Sequence, residues 1–178
     1  MAEKPDDVFS RLLKERIVYV GTAIDDTVGS LVSAQLLQLQ GEDPTKDIHF
    51  YVNSPGGAIT ASFAIYDTMA LVKNDIATYV IGRAAGTALL LVAAGTKGKR
   101  FALPHARLEF VEIWGGNAET DPDALRRARK AIFDAFVEHT GQSFQAIERA
   151  QQVGRVYGPW EGVTFGLVDK VIPKNELK

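Results

Sequence analysis

The 178-residue sequence contains no cysteine. Disulfides, thiolate metal sites and thiol nucleophiles are thereby excluded, and stability has to come from packing alone. Neither sign of charge is in excess: 20 basic residues stand against 22 acidic ones, a net charge of −2. No long-range field draws such a chain to nucleic acid or to anionic lipid, and neither is expected as a partner. Long hydrophobic runs are also missing. The longest, over 84–95, is about twelve residues where a membrane span needs roughly twenty, so it reads as a buried core element. The start, Met1-Ala-Glu-Lys-Pro-Asp-Asp7, is polar and acidic where a secretory signal would have a basic end and an apolar run. A cytoplasmic location is the resulting expectation. Histidine is scarce: His49, His105 and His139 lie on separate segments, without an i,i+4 pair or a carboxylate at ligand spacing. No Gly-x-Gly-x-x-Gly follows a strand, and Gly95-Thr-Lys-Gly-Lys-Arg100 lacks the spacing and hydroxyl of a phosphate loop. Neither metal nor other cofactor is expected.

What is present is the composition of one globular domain, with 46% hydrophobic and 24% charged residues. Short β-branched runs alternate with longer stretches of helical spacing, the pattern of an α/β fold. A strand is predicted over 17–20. Capping oxygens at Asp25, Asp26 and Thr27 follow, and then a helix in which Val28, Leu31, Val32, Leu36 and Leu39 recur every three or four residues. A second strand over 48–52 breaks at Asn53-Ser-Pro-Gly-Gly57 before a small, apolar helix over 58–72. The unit repeats with a strand over 76–81, a turn over 82–86 and an Ala/Leu helix reaching Gly95. Strand-like runs at 101–103 and 107–113 come next, then a Gly-rich loop over 115–120. A charged helix starts at Pro122 and stops at Thr140-Gly141, and a further helix covers 143 to about 153. A Gly/Pro-punctuated stretch and a strand over 168–172 close the chain.

Asn53-Ser-Pro-Gly-Gly57 has two readings. Adjacent glycine amides at a helix N-terminus make a cradle for an oxyanion or carboxylate. Alternatively they form a tight turn in which glycine supplies positive φ.

Several separated stretches carry a resemblance. Arg11-Leu-Leu-Lys-Glu-Arg-Ile17, Asn53-Ser-Pro-Gly-Gly57, Ala64-Ile-Tyr-Asp-Thr-Met69, Lys97-Gly-Lys-Arg100, Ala102-Leu-Pro104, His139-Thr-Gly-Gln142 and Gly166-Leu-Val-Asp169 closely resemble the proteolytic subunit of the Clp protease, ClpP, in that family's order. The resemblance implies a crotonase-like α/β spiral of ββα units with a helical handle. Such chains assemble into seven-membered rings, two of which stack around a proteolytic chamber, and the family's activity is ATP-dependent serine endopeptidase. It also implies a short segment over 1–10, in place of the arm that lines the axial pore, and a ClpP-like domain over 11–178 whose handle, about 115–142, is shortened. Gln152 and Val153 replace the acidic and basic side chains that link stacked rings.

Carried over residue by residue, the family's serine falls on Gly86, its histidine on Val111 and its aspartate on Gly154. All three positions are vacant. Glycine offers no nucleophile and valine no base, and triad members act as a unit, so hydrolysis is not expected from this chain alone. Of the oxyanion donors, Gly57 stands at one position, and the second, on the residue after the nucleophile, is Thr87. The resemblance further implies that Tyr51, Tyr79 and Ile81 line an apolar pocket for the docking loops of a Clp ATPase; aromatics on adjacent strands also serve as plain packing.

The favoured expectation is a catalytically silent, ClpR-type subunit that enters heptameric rings with an active ClpP paralogue or with itself. Two alternatives stand beside it. One is a peptidase with Thr87 or Ser54 as an unconventional nucleophile, for which His105, six residues before Val111, lies too far along an extended strand to act as base. The other is a stand-alone module that holds a peptide or acyl group on the Gly57 and Thr87 amides. An enoyl-CoA hydratase of the wider crotonase superfamily is a more distant reading.

Overall fold

A computed structural model describes residues 7–111 and 121–173. The described residues form an α/β fold in the order α1 (Val8–Lys14), β1 (Ile17–Val20), α2 (Asp26–Glu42), β2 (Ile48–Ser54), α3 (Ile59–Leu71), β3 (Ile76–Ala85), α4 (Thr87–Ala93), β4 (Arg100–Ala102), β5 (Arg107–Glu109), α5 (Pro122–Thr140), α6 (Phe144–Gln152), β6 (Val156–Tyr157), α7 (Pro159–Phe165) and β7 (Lys170–Val171). The main sheet runs β1-β2-β3-β4-β7, all pairs parallel, with β5 parallel to the far end of β3 and β6 antiparallel to β5. Parallel neighbours need crossover helices, and α2 and α3 supply the first two.

The core faces of β1, β2 and β3 present Val18, Val20, Phe50, Val52 and Val80, each at most 2% exposed, to α2, α3 and α4. α4 is buried at every position, as its apolar composition requires. Asp25 caps α2 by accepting from the Val28 amide at 2.8 Å, and Ser143 caps α6 by accepting from Ala146 at 3.2 Å. The long charged helix begins at Pro122 and stops at Gly141, which adopts φ 72°. Its stripe of Ile132, Phe133 and Phe136 is buried.

Three expectations change. The stretch 82–86 is not a turn: β3 continues to Ala85, with Gly82 at φ 134°. Val52 pairs with Val80 but Ser54 with Ala84, so β3 carries extra residues and bulges at 81–83. The bulge hands β3 from β4 (Thr78–Val80) to β5 (Arg83–Ala85) and brings its end against β5. Three short elements, α1, β6 and α7, are additional. The strands expected at 101–103, 107–113 and 168–172 shift or shorten to β4, β5 and β7; residues 112 and 113 lie outside the described residues, as do the Gly-rich loop 115–120 and most of the N-terminal segment. No helix among the described residues is long and apolar enough to cross a membrane.

Candidate functional site

The site lies where β2, β3 and β5 end together. β2 runs through Ser54 into Pro55-Gly56-Gly57, and this turn is pressed against two other segments. The Ile24 amide donates to Gly56 O at 3.0 Å and the Ala58 amide to Ile24 O at 2.7 Å. A Cβ on Gly57 would lie 2.0 Å from Ile24 O; one on Gly56, at φ 84°, would lie 2.5 Å from Ala85 O. Both glycines are required, Gly56 by conformation and contact, Gly57 by contact.

β3 reaches the same place. Its last residue precedes Gly86, which has φ 54° and ψ −120° and leads directly into α4. A sharp, strained strand-to-helix turn of this kind exposes a side chain at the end of a sheet, and glycine relieves the strain. The Gly86 amide donates to Glu109 O at 3.0 Å. A Cβ on Gly86 would meet Val111 Cγ2 at 3.0 Å, and one on Gly154 would lie 3.8 Å from Phe110 O. Gly86 therefore abuts Val111, and Gly154 lies against the backbone of Phe110, one residue before it. Two further bonds join α6 and its exit to β5: Gln151 Nε2 donates to Val111 O, and the Phe110 amide donates to Arg155 O at 2.8 Å.

Thr87 is 3% exposed, and its Oγ1 accepts from the Gly57 amide at 3.0 Å and from Ser62 Oγ at 2.8 Å. Its own proton points toward Gly57 O at 3.5 Å. Ser54 is fully buried; its hydroxyl donates to Thr22 O at 2.6 Å and accepts from the Gly56 amide at 3.1 Å. Neither hydroxyl has a base. His49 Nδ1 lies 3.1 Å from Tyr79 OH, His139 Nε2 lies 2.8 Å from Tyr66 OH, and His105 is exposed in the turn between β4 and β5. Among the described residues no group of His, Asp and Glu could hold a metal ion. Glu109, whose carbonyl accepts from the Gly86 amide, is largely buried, with its carboxylate paired with Arg107 Nε at 3.1 Å. Arg107 is in register with Arg83, so a basic pair borders the end of β3.

The sequence matches the Clp protease family over residues 1–175. The chain belongs to that family. Its members are normally part of ring-shaped Clp complexes. The α/β architecture, with its parallel sheet and crossover helices, is consistent with the family fold. At the end of β3 the groups that meet are the hydrogen of Gly86 and the isopropyl group of Val111.

Of the residues expected to line a docking pocket in this Clp protease family chain, Tyr51 and Tyr79 lie side by side on β2 and β3. Tyr51 and Tyr79 face away from the core and stack at 4.5 Å, and Tyr79 stacks on Phe101 at 5.1 Å. Tyr19, Tyr51, Tyr79 and Phe101 are direct cross-strand partners, so one aromatic row crosses four strands. Ile81 follows two residues after Tyr79 on the same face and is half-buried. Burial foremost, and then the adjacent Tyr51 and Asp47, hold the Tyr79 phenol above its ordinary pKa.

Sequence reasoning missed Ser62 and Gln151. Ser62 was findable as one of two hydroxyl residues, with Thr60, in the first turn of the mainly apolar α3, whereas nothing local marks Gln151 as a brace on β5.

Proposed function

We propose that this chain is a non-catalytic, ClpR-type subunit of a cytoplasmic Clp complex, built into heptameric rings with an active ClpP paralogue or with further copies of itself. The reading rests on one observation: at the end of β3, Gly86 abuts Val111, and these two positions, with Gly154, which the resemblance aligns with the family's triad, supply no hydroxyl, imidazole or carboxylate. A serine-type acyl transfer needs a nucleophile, a base within hydrogen-bond reach and an orienting group for that base. With all three gone, the remaining contribution is architectural: closing the chamber wall and presenting the Tyr51, Tyr79 and Ile81 face to a Clp ATPase.

The hydrogen bonds of Thr87 and Ser54 speak against either as a replacement nucleophile, since both hydroxyls are buried and engaged with backbone and hydroxyl partners rather than a base. Native mass spectrometry of the chain with and without an active ClpP paralogue tests the assembly. Mixed seven-membered rings are the expected result; rings that never mix, together with a chain that stays monomeric alone, would overturn it.

A further inference from the structure

We infer that Thr87 plugs the oxyanion cradle from within, so that the site is closed to acyl and peptide carbonyl oxygens as well as chemically empty. The inference deepens the non-catalytic reading and rests on it. An amide carries one hydrogen, and that of Gly57 is already given to Thr87 Oγ1 at 3.0 Å. Thr87 is itself the residue after the vacant nucleophile position, so its hydroxyl lies beside its own amide, the second donor of the cradle. A carbonyl oxygen seeking both amides meets a hydroxyl oxygen already placed there.

The plug is held. Thr87 is 3% exposed and so is Ser62, whose hydroxyl donates to Thr87 Oγ1 at 2.8 Å. Rotating the threonine away would leave the buried Ser62 hydroxyl unsatisfied, at a cost of about 1–3 kcal/mol, and would give up the bond from the Gly57 amide. Threonine is also stiff at χ1, which favours the seated rotamer. The backbone around it is fixed, because Gly57 touches Ile24 and Gly56 touches Ala85. Peptide retention in the cleft without turnover is disfavoured for the same reason, so any contact of this chain with substrate lies elsewhere on the chamber surface.

Two measurements on the full chain test this. Amide hydrogen exchange resolved to Gly57 reads the bond directly. Slow exchange is expected in wild type and in Thr87→Ser, and at least tenfold faster exchange in Thr87→Val, with the Ile24 and Ala58 amides unchanged as internal controls. The second measurement is the fluorophosphonate labelling rate in a background carrying Gly86→Ser, Val111→His and Gly154→Asp. Adding Thr87→Val should accelerate labelling, on the order of 10² if one oxyanion donor is released. Fast exchange at Gly57 in wild type, or a Thr87→Val change that moves neither exchange nor labelling, would overturn the inference. If the rebuilt background does not fold, the exchange measurement decides alone. Labelling of the wild-type chain would instead defeat the non-catalytic reading, which the exchange pattern at Gly57 does not touch.

Discussion

A methyl group on Gly57 would sit 2.0 Å from the Ile24 carbonyl oxygen and 2.6 Å from its amide nitrogen. Backbone cannot yield there without breaking the Ala58–Ile24 bond, so Gly57→Ala is expected to cost several kcal/mol, seen as a loss of the cooperative unfolding transition or a large fall in Tm. Gly41 is the contrasting case: it lies in α2, with ordinary φ and open space around its Cα. Gly41→Ala is expected to stabilise by roughly 0.5–1 kcal/mol, measured by chemical denaturation. At Gly86 the positive φ and the 3.0 Å approach to Val111 act together, so Gly86→Ser should cost roughly 1–3 kcal/mol while leaving peptidase activity at background. The Pro-Gly-Gly break was legible in sequence as a turn or an anion cradle. That Gly57 is demanded by contact with Ile24, and that its amide is taken by Thr87, depended on which distant segments fold against it.

At the scale of elements, the ends of β4, α4, α5 and β7 are tied by a single buried ion pair. Arg100 binds Asp169 through Nε at 2.9 Å and Nη2 at 2.6 Å, and its Nη1 donates to the carbonyls of Ala93 and His139, both at 3.0 Å. The Arg100 side chain is 4% exposed and that of Asp169 19%. Asp169→Ala strands a buried guanidinium and is expected to cost about 3–5 kcal/mol in denaturant unfolding. Burial raises the Asp169 pKa, but the hydrogen bonds and charge of Arg100 together with the Gly98 and Arg100 amides outweigh it, and the carboxyl titrates below its ordinary 3.8. The sign follows: this stabilisation is complete above the unfolded-state pKa and is lost as pH falls through the lower folded one, so wild type should lose stability below about pH 4. Asp169→Asn should flatten that part of the pH–stability curve. His139 acts at a higher pH. Burial chiefly, with Arg100 adding to it against Glu138, lowers its pKa below 6.5. Stability should therefore fall as pH drops from the unfolded-state value through the folded one, and His139→Gln should remove that step.

Helices α2, α5 and α6 were readable from spacing, caps and stop signals, and α3 from its small, apolar composition after the Pro-Gly-Gly break, because each carries its own signals. β3 was cut short at Ile81, since glycine at 82 looks locally like a turn and only pairing with β5 carries the strand onward. α7 went unread although Gly158-Pro159 and Glu161 offered a helix start; the Glu161 carboxylate accepts from the Gly158 amide at 2.8 Å. β6, two residues long, exists only because β5 lies beside it.

For the whole molecule, family membership and fold were accessible from ordered, separated motifs that no single element could mimic. The grouping of Gly86, Val111 and Gly154 came from the resemblance alone; the contact of Gly86 with Val111, 25 residues on, was not legible, because it forms only when β3 bulges past Gly82 to pair with β5. An aromatic row across four strands is a property of the assembled sheet in the same way. Tyr79→Ser should leave the fold intact, since the ring is half-buried on the outer face, while weakening association with a Clp ATPase in a pull-down of the assembled ring. The most direct check on the non-catalytic reading is the intact mass of the purified chain after exposure to a fluorophosphonate. An unchanged mass is expected; a stoichiometric covalent adduct on any residue would refute it.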